Sequence, residues 1–469
     1  MAWNWKFYNL LDKSEKRWFW GTSIFNFILL IIFFVVGYFI AGSVLFYFMW
    51  QLMICLYYIT KDKSNKKKSG IREWSDAIIF AVIAATLIRT FFFEAYTIPT
   101  GSMEKTLLVN DFLFVGKCNY GARLPMTPLA IPFIHNKIPG TDYPSYTEWP
   151  QVRYHRLPAL EKIKRHDIVV FNFPVEGDSR YDDFTATEKN PMDKKVNYVK
   201  RCVGMPGDTL LLRDSKIFIN GEAQKEYKKM QVSVNIWLSQ QTVNRYLSQT
   251  IVKQTREGAF EVVYPFSYKQ LLKHNIAIDD LEPVALERNA QGYIVSNAWN
   301  VKIDPKRYKE LYEITEIDSL SLDVFEKEGA GGASMSIYPR SHRLTWNRDY
   351  FGPLYIPKEG ATIPMNEENF AIYEKVIRDY EHHQSFEIKE GKYLLDGNAI
   401  TEYTFKQNYY MMIGDNRHNS SDGRMWGMVP EENVVGKALI IWFSYDKDNP
   451  SFLGRIRWNR LFHIIHNMD

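Results

Sequence analysis

Cysteine is scarce in this chain. Among 469 residues there are three, Cys55, Cys118 and Cys202. No two form a Cys-x-x-Cys pair and Cys55 lies in an apolar run, so neither a cysteine-based zinc site nor a disulfide framework is expected. An excess of one charge is also missing: Lys plus Arg is 58, Asp plus Glu is 54, and the net charge is +4. So small an imbalance makes no electrostatic case for nucleic acid as a partner. The ten histidines include no His-Glu-x-x-His pair, and no metal or cofactor is expected. Wholesale disorder is excluded, since 46% of the residues are apolar and 15% are aromatic. The length exceeds one ordinary domain, and two or three are expected.

The most informative absence is local. Trp18 to Ile59 is a run of 42 positions without Asp, Glu, Lys or Arg. As one helix it would extend about 63 Å at ~1.5 Å per residue, roughly twice the hydrocarbon core of a bilayer. Two spans, broken near Ala41-Gly42-Ser43, fit residues 18–59 better than one. Residues 60–73 then carry Lys61, Lys63, Lys66, Lys67, Lys68 and Arg72, which marks the cytoplasmic side. Residues 74–93 are apolar again, with Asp76 and Arg89 near the ends, and read as a last transmembrane helix. The tail 1–17, with Lys6, Lys13, Lys16 and Arg17, also reads as cytoplasmic. The chain beyond Phe93 is therefore expected on the exoplasmic face. A cleaved signal peptide does not fit, because the apolar stretch is too long and a second one follows.

The remainder reads as mainly strand. Ile168 to Phe171 follows the turn-like Arg165-His166-Asp167. Val196 to Val203 runs into the turn Gly204-Met205-Pro206-Gly207, and Ala438 to Phe443 is a further strand. Lys216-Ile-Phe-Ile-Asn-Gly-Glu-Ala223 echoes Lys392-Tyr-Leu-Leu-Asp-Gly-Asn-Ala399, each with the Asn-Gly or Asp-Gly signal of a type I′ hairpin. Between them the chain is more polar and mixed, and Phe370, Tyr373, Val376, Ile377 and Tyr380 fall at helical spacing. Residues 224–385 thus read as an inserted α+β region in a β domain made of 94–223 and 386–450, with 451–469 as a C-terminal tail.

Three segments carry candidate chemistry. In Ile98-Pro99-Thr100-Gly101-Ser102-Met103, a serine follows a Pro-x-Gly bend, where a nucleophile can be presented; an ordinary capping serine fits as well. In Asn197 to Asp208, strand alternation puts Lys200 on one face with Tyr198 and Cys202, and Arg201 on the other with Val199 and Val203. A lysine among apolar neighbours is costly when charged, so its pKa should fall and it can serve as a general base; a lysine snorkelling at a strand edge is the plainer alternative. Guanidinium does not deprotonate, so Arg201 is not a base. Gly414 to Gly427 is dense in short polar side chains that build turns and hydrogen-bond networks.

In this order after membrane spans, these segments resemble bacterial signal peptidase I, the membrane-bound serine endopeptidases with a Ser/Lys dyad that remove signal peptides. The similar boxes are Ile98 to Leu107, Lys164 to Phe171, Tyr198 to Asp208 and Gly414 to Pro430. The resemblance implies a signal-peptidase-like β fold preceded by transmembrane helices, a place in the bacterial inner membrane and exported preproteins as substrates. It further implies Ser102 as nucleophile and Lys200 as general base, with the Thr100 hydroxyl and Ser102 amide binding the oxyanion. Ser420 and Asp422 match positions that orient the lysine. Arg201 with Asp415, and Asp422 with Arg424, match ion pairs. Ile98, Met103, Leu107 and Val199 match positions lining pockets for small residues at −1 and −3 of the cleavage site.

The chain departs from that pattern in three places. His418 stands where the family often has Asp, Trp18 to Ile59 is longer than one span, and residues 224–385 match no part of the family pattern. Two rivals have sequence features of their own. Ser102-Met103-Glu104-Lys105 is an S-x-x-K string, but the S-D-N and K-T-G partners of penicillin-recognising enzymes do not occur. A catalytically inactive membrane-anchored scaffold would not need to keep both Ser102 and Lys200.

Overall fold

The computed structural model describes residues 70–174, 190–226, 229–239, 294–326, 337–341, 343–447, 451 and 453–465, with parts of 241–288. The tail 1–17, the run Trp18 to Ile59 and residues 60–69 lie outside the described residues. The expected last span is helical from Gly70 to Phe91, and Phe93 already opens a strand, Phe93–Thr97. Among the described residues no helix is long and apolar enough to cross a membrane. Trp74, Ile78, Phe80 and Leu87 of the helix Gly70–Phe91 are nonetheless exposed.

The chain falls into two compact units. One takes in the helix, Gly121–Ala159 and Asn190–Lys195. Its irregular segments are held by side chains on backbone: Arg156 Nη1 donates to Gly121 O at 2.7 Å, and Asp193 Oδ2 accepts the Met126 and Thr127 amides at 3.0 Å each. The other unit comprises Ala95–Tyr120, Leu160–Lys189 and Val196–Asp469, and holds all the candidate site residues.

An eight-stranded sheet organises that second unit. Its order is Phe93–Thr97, Asp111–Gly116, Val434–Ser444, Ile168–Asn172, Asn197–Gly204, Tyr409–Ile413 and Val429–Pro430, with His463–Ile464 beside Val434–Ser444. Pairing from Asp111–Gly116 onward is antiparallel. Ile168–Asn172 and Tyr409–Ile413 are buried at every position, which explains why both read as unbroken apolar runs and not as alternating ones. In Asn197–Gly204 the register sets Lys200 opposite Val169, and Arg201 opposite Ile168 and Ile413. Gly436 permits a close crossing: a Cβ there would meet Gly116 O at 2.5 Å.

The two expected hairpins are present. Asn220-Gly221 and Asp396-Gly397 have positive φ at both residues, 53° and 87° in the first, 49° and 83° in the second, as a type I′ turn requires. The helical spacing after Asn366 also corresponds to a helix, Glu367–Lys375, followed by a π-helical turn, Val376–Tyr380. Asn366 caps it by accepting the Asn369 amide at 2.8 Å.

The inserted region is not uniform. Val232–Leu238 lies between Ala298–Ile303 and Ile317–Leu322 in a small antiparallel sheet. That sheet has its own apolar cluster, including Val234, Ile236, Trp299 and Val301. Residues 337–380 instead pack with Val203, Leu210, Met411 and Ile413, and Phe351–Tyr355 pairs with Thr209–Arg213. The part with a core of its own is therefore narrower than 224–385. Asp349 to Pro357, apolar enough to touch lipid or a partner or to form a buried loop, contains the strand Phe351–Tyr355, and Phe351, Leu354 and Ile356 are almost fully covered while Pro353 is exposed.

Candidate active site

Ser102 sits in a single 3-10 turn, Gly101–Met103, after Thr100 in extended conformation. Lys200 comes from the middle of the strand Asn197–Gly204, 98 residues later. The fold brings Lys200 Nζ to 2.7 Å from Ser102 Oγ, and the same amine donates to Val199 O at 3.1 Å. Only 4% of Lys200 is exposed, and its amine stands 5.3 Å from the centre of the Tyr198 ring. Burial pushes the Lys200 pKa down to about 8, against the opposing attraction of the Asp422 and Asp415 carboxylates. Among the described residues no carboxylate forms a salt bridge to the amine, so the neutral state is within reach near neutral pH.

Around this pair stand two buried ion pairs. Arg201 Nε and Nη2 donate to Asp415 Oδ1 and Oδ2 at 2.7 and 2.6 Å, with both side chains fully buried. Arg201 Nη1 also donates to His166 O at 3.0 Å. Burial alone would raise the Asp415 pKa; Arg201 and the Thr106 hydroxyl, which donates at 2.6 Å, hold it below the usual carboxylate range. Arg424 Nε and Nη2 donate to Asp422 Oδ1 and Oδ2 at 2.9 and 2.8 Å. Asp422 Oδ2 also accepts the Gly414 amide at 3.0 Å. Its pKa is likewise lowered against burial, chiefly by Arg424. Such bidentate pairs are rigid fixtures, and breaking one partner leaves a buried charge unpaired.

Thr100 is exposed and its hydroxyl makes no capping bond. Ile98, Met103, Leu107 and Val199 gather in one apolar cluster with Leu113, Ile168 and Val170. Met103 and Leu107 have no exposed surface, so they underlie the turn.

Ser420 departs from its expected geometry. Its hydroxyl, expected on the lysine amine, has no hydrogen-bond partner among the described residues. It lies instead over Gly414, where a Cβ would come within 2.1 Å of Ser420 Oγ and 2.6 Å of Ser102 O. The second fixed contact of the amine is the Val199 carbonyl of its own strand, a bond that side-chain alternation cannot reveal. Any side chain larger than glycine at 414 would collide here.

His418 also finds a partner, in the inserted region. Its Nδ1 accepts the Ser233 amide at 3.0 Å, so the proton is on Nε2, which lies 3.1 Å from Asp349 Oδ1 and 2.9 Å from Ser215 Oγ. Burial lowers the His418 pKa, and the imidazole is neutral. The serine and the carboxylate face the same ring nitrogen, whereas a catalytic triad needs them on opposite ones. This Ser-His-Asp set is a structural knot.

Three contributors went unnoticed in the sequence. Thr106 ties the serine turn to Asp415. Asp167 accepts the Tyr120 hydroxyl at 2.7 Å and the Lys164 amide at 2.9 Å, and meets Lys437 Nζ at 3.1 Å. Asn416 holds the backbone of Gly101 and Ser102. All three lie within boxes of the resemblance, Thr106 in Ile98 to Leu107, Asp167 in Lys164 to Phe171 and Asn416 in Gly414 to Pro430, but none was singled out there as a site residue.

A serine hydroxyl in contact with a buried, depressed lysine amine is the constellation of a hydrolase that attacks through an activated serine. Residues 71–263 and 355–443 match the family described as signal peptidase, peptidase S26, and the chain belongs to that family. It is similar to signal peptidase I of Rickettsia massiliae, 31% identical over 87% of this chain and 97% of that protein. It is also similar to signal peptidase I of Buchnera aphidicola from Acyrthosiphon pisum, 26% identical over 86% and 84% of the two chains. With the Haemophilus influenzae signal peptidase I, identity is 23% over 86% and 80%.

Proposed function

We propose that this chain is a signal peptidase I, a serine endopeptidase that removes signal peptides from exported preproteins, with Ser102 and Lys200 as its reacting pair. One observation carries the assignment of residues: a buried lysine amine with a lowered pKa at 2.7 Å from the hydroxyl of a serine on a tight turn. Neutral Lys200 takes the Ser102 proton as the hydroxyl oxygen attacks the scissile carbonyl. The Thr100 hydroxyl and the Ser102 amide stabilise the developing oxyanion. Lysinium then returns the proton to the leaving amine. In the second half Lys200 takes a proton from water, which hydrolyses the acyl-enzyme and frees Ser102. Arg201–Asp415 and Asp422–Arg424 hold the walls of the site, and Ile98, Met103, Leu107 and Val199 set the shape that admits small residues at −1 and −3.

The same reading places the protein in the bacterial inner membrane. The charge-free run Trp18 to Ile59 and the apolar surface exposed on the helix Gly70–Phe91 support attachment to lipid. The basic residues between them support a cytoplasmic loop, with the catalytic part on the exoplasmic face. The direct test is cleavage by the detergent-purified protein of a preprotein carrying Ala-x-Ala before the cut. Cleavage after the second Ala is expected, with none by Ser102→Ala. An intact preprotein with both proteins sinks the assignment.

A further inference from the structure

The turn that carries Ser102 is short, and its preceding residue Thr100 gives it no capping bond. Its own bond, from the Glu104 amide to Gly101 O at 3.0 Å, holds that carbonyl from one side, and further contacts come from outside the turn. Asn416, 1% exposed, meets it twice: its backbone amide donates to Ser102 O at 3.2 Å, and its Nδ2 donates to Gly101 O at 3.1 Å. The second contact has a consequence for the chemistry. Gly101 O and the Ser102 N–H belong to one planar trans peptide group and point in opposite directions. Anchoring the carbonyl therefore aims the amide away from Asn416.

Asn416 is itself held by the inserted sheet. Gln231, 2% exposed, forms a parallel bridge with Asn416. The Gln231 amide donates to Asp415 O, and the Arg417 amide donates to Gln231 O, each at 3.0 Å. Gln231 leads directly into Val232–Leu238, which is paired along both edges. A second tie joins Lys105, three residues beyond the nucleophile, to the buried Asp280 at 2.7 Å. We propose that Asn416 is a positioning residue that orients the oxyanion-binding amide of Ser102, and that the insertion braces the serine turn, through Gln231 behind Asn416 and through Asp280 on Lys105. This rests on Ser102 as nucleophile and gives the inserted sheet a role in the reaction.

The test is steady-state cleavage of the Ala-x-Ala preprotein by folded variants, checked by circular dichroism and Tm. Asn416→Ala keeps the backbone bond and loses the Nδ2 donor; kcat should fall about tenfold, the effect of one ordinary hydrogen bond, with KM within about twofold. Asn416→Asp has nearly the same size but sets an acceptor against Gly101 O, so kcat should fall further than in Asn416→Ala. A residue that only fills space would give the reverse order. Gln231→Pro removes the amide that holds Asp415 O and should lower kcat about as much as Asn416→Ala. Should it not fold, Asp280→Ala, which releases the other tie, should lower kcat by about threefold. Wild-type kcat in folded Asn416→Ala, or Asn416→Asp as active as wild type, overturns the orienting role. Wild-type kcat in folded Gln231→Pro or, where that protein does not fold, in Asp280→Ala overturns the brace. Wild type and Ser102→Ala, run alongside, separate these failures from failure of the functional reading, which would show as wild type leaving the preprotein intact or Ser102→Ala still cutting it.

Discussion

Two clusters in this protein each combine a serine, a nitrogen base and carboxylates, and we propose that only one of them reacts. At Ser102 the proposed base is a lysine amine that meets Ser102 Oγ at 2.7 Å and has its pKa lowered to about 8 by burial. At Ser215 the base is His418, whose one acceptor nitrogen is already occupied by the Ser233 amide. The Asp349 carboxylate is also fully engaged, by His418, Ser215, the Phe325 amide and Arg348. From residue types alone the Ser-His-Asp set would look the more catalytic. Reactivity follows the unspent hydrogen-bonding capacity of the base, and residue identity alone does not decide it.

The sharpest way to break the comparison is to remove the reacting pair. Ser102→Ala and Lys200→Arg should each lower kcat by at least ~10⁴-fold in the preprotein assay, because neither can be replaced by its neighbours. Comparable activity in Lys200→Arg would dismiss the lysine as base. Thr100→Ala comes next, with an expected loss of ~10²–10³ in kcat, as for one oxyanion donor; Thr100→Ser, which keeps the hydroxyl, should be nearly silent.

A pH profile sharpens the contrast further. Only neutral Lys200 accepts a proton, so kcat/KM should rise about tenfold per pH unit below about 8 and level off above it. The sign for stability follows the same shift. The unfolded lysine binds its proton more tightly than the folded one, so stability contributed at this site rises with pH between about 8 and the ordinary lysine value of ~10.4. Lys200→Met should therefore be inactive yet melt higher at pH 7, and an unchanged or lower Tm would contradict a costly buried amine. The smallest effect belongs to the closed cluster. Ser215→Ala should leave kcat within about threefold and lower stability by about 0.5–1.5 kcal/mol, the net value of a hydrogen bond. A loss of activity on the scale of Ser102→Ala would reverse the roles assigned to the two clusters.

Local chemistry was legible in the linear chain. Asn-Gly and Asp-Gly announced the two hairpins because only such residues tolerate consecutive positive φ. Alternation along Asn197–Gly204 separated Lys200 from Arg201, since a strand sends successive side chains to opposite faces. Pro-x-Gly before Ser102 marked a bend. Long-range partners were not legible, because no local periodicity encodes them. Thr106 with Asp415, Asn416 with Gly101 and His418 with Asp349 are separated by 309, 315 and 69 positions.

Two site details show the same limit at close range. Ser420 belongs to the box that resembles the one holding the lysine, yet its hydroxyl rests over Gly414, and the amine donates to the Val199 carbonyl of its own strand. Likewise, the stretch 224–385 reads as one insertion from its composition, while packing divides it: Val232–Leu238 and its neighbours build a separate core, and residues 337–380 share that of Val203 and Met411. The sequence by itself determined which residues can turn, alternate or ionise, because those properties depend on the residue and its nearest neighbours. Tertiary structure alone decided that Lys200 would lose its water, that its amine would meet Ser102, and that His418 would not be a base. Desolvation and hydrogen-bond saturation are properties of the assembled surroundings, and those surroundings come from segments hundreds of residues apart.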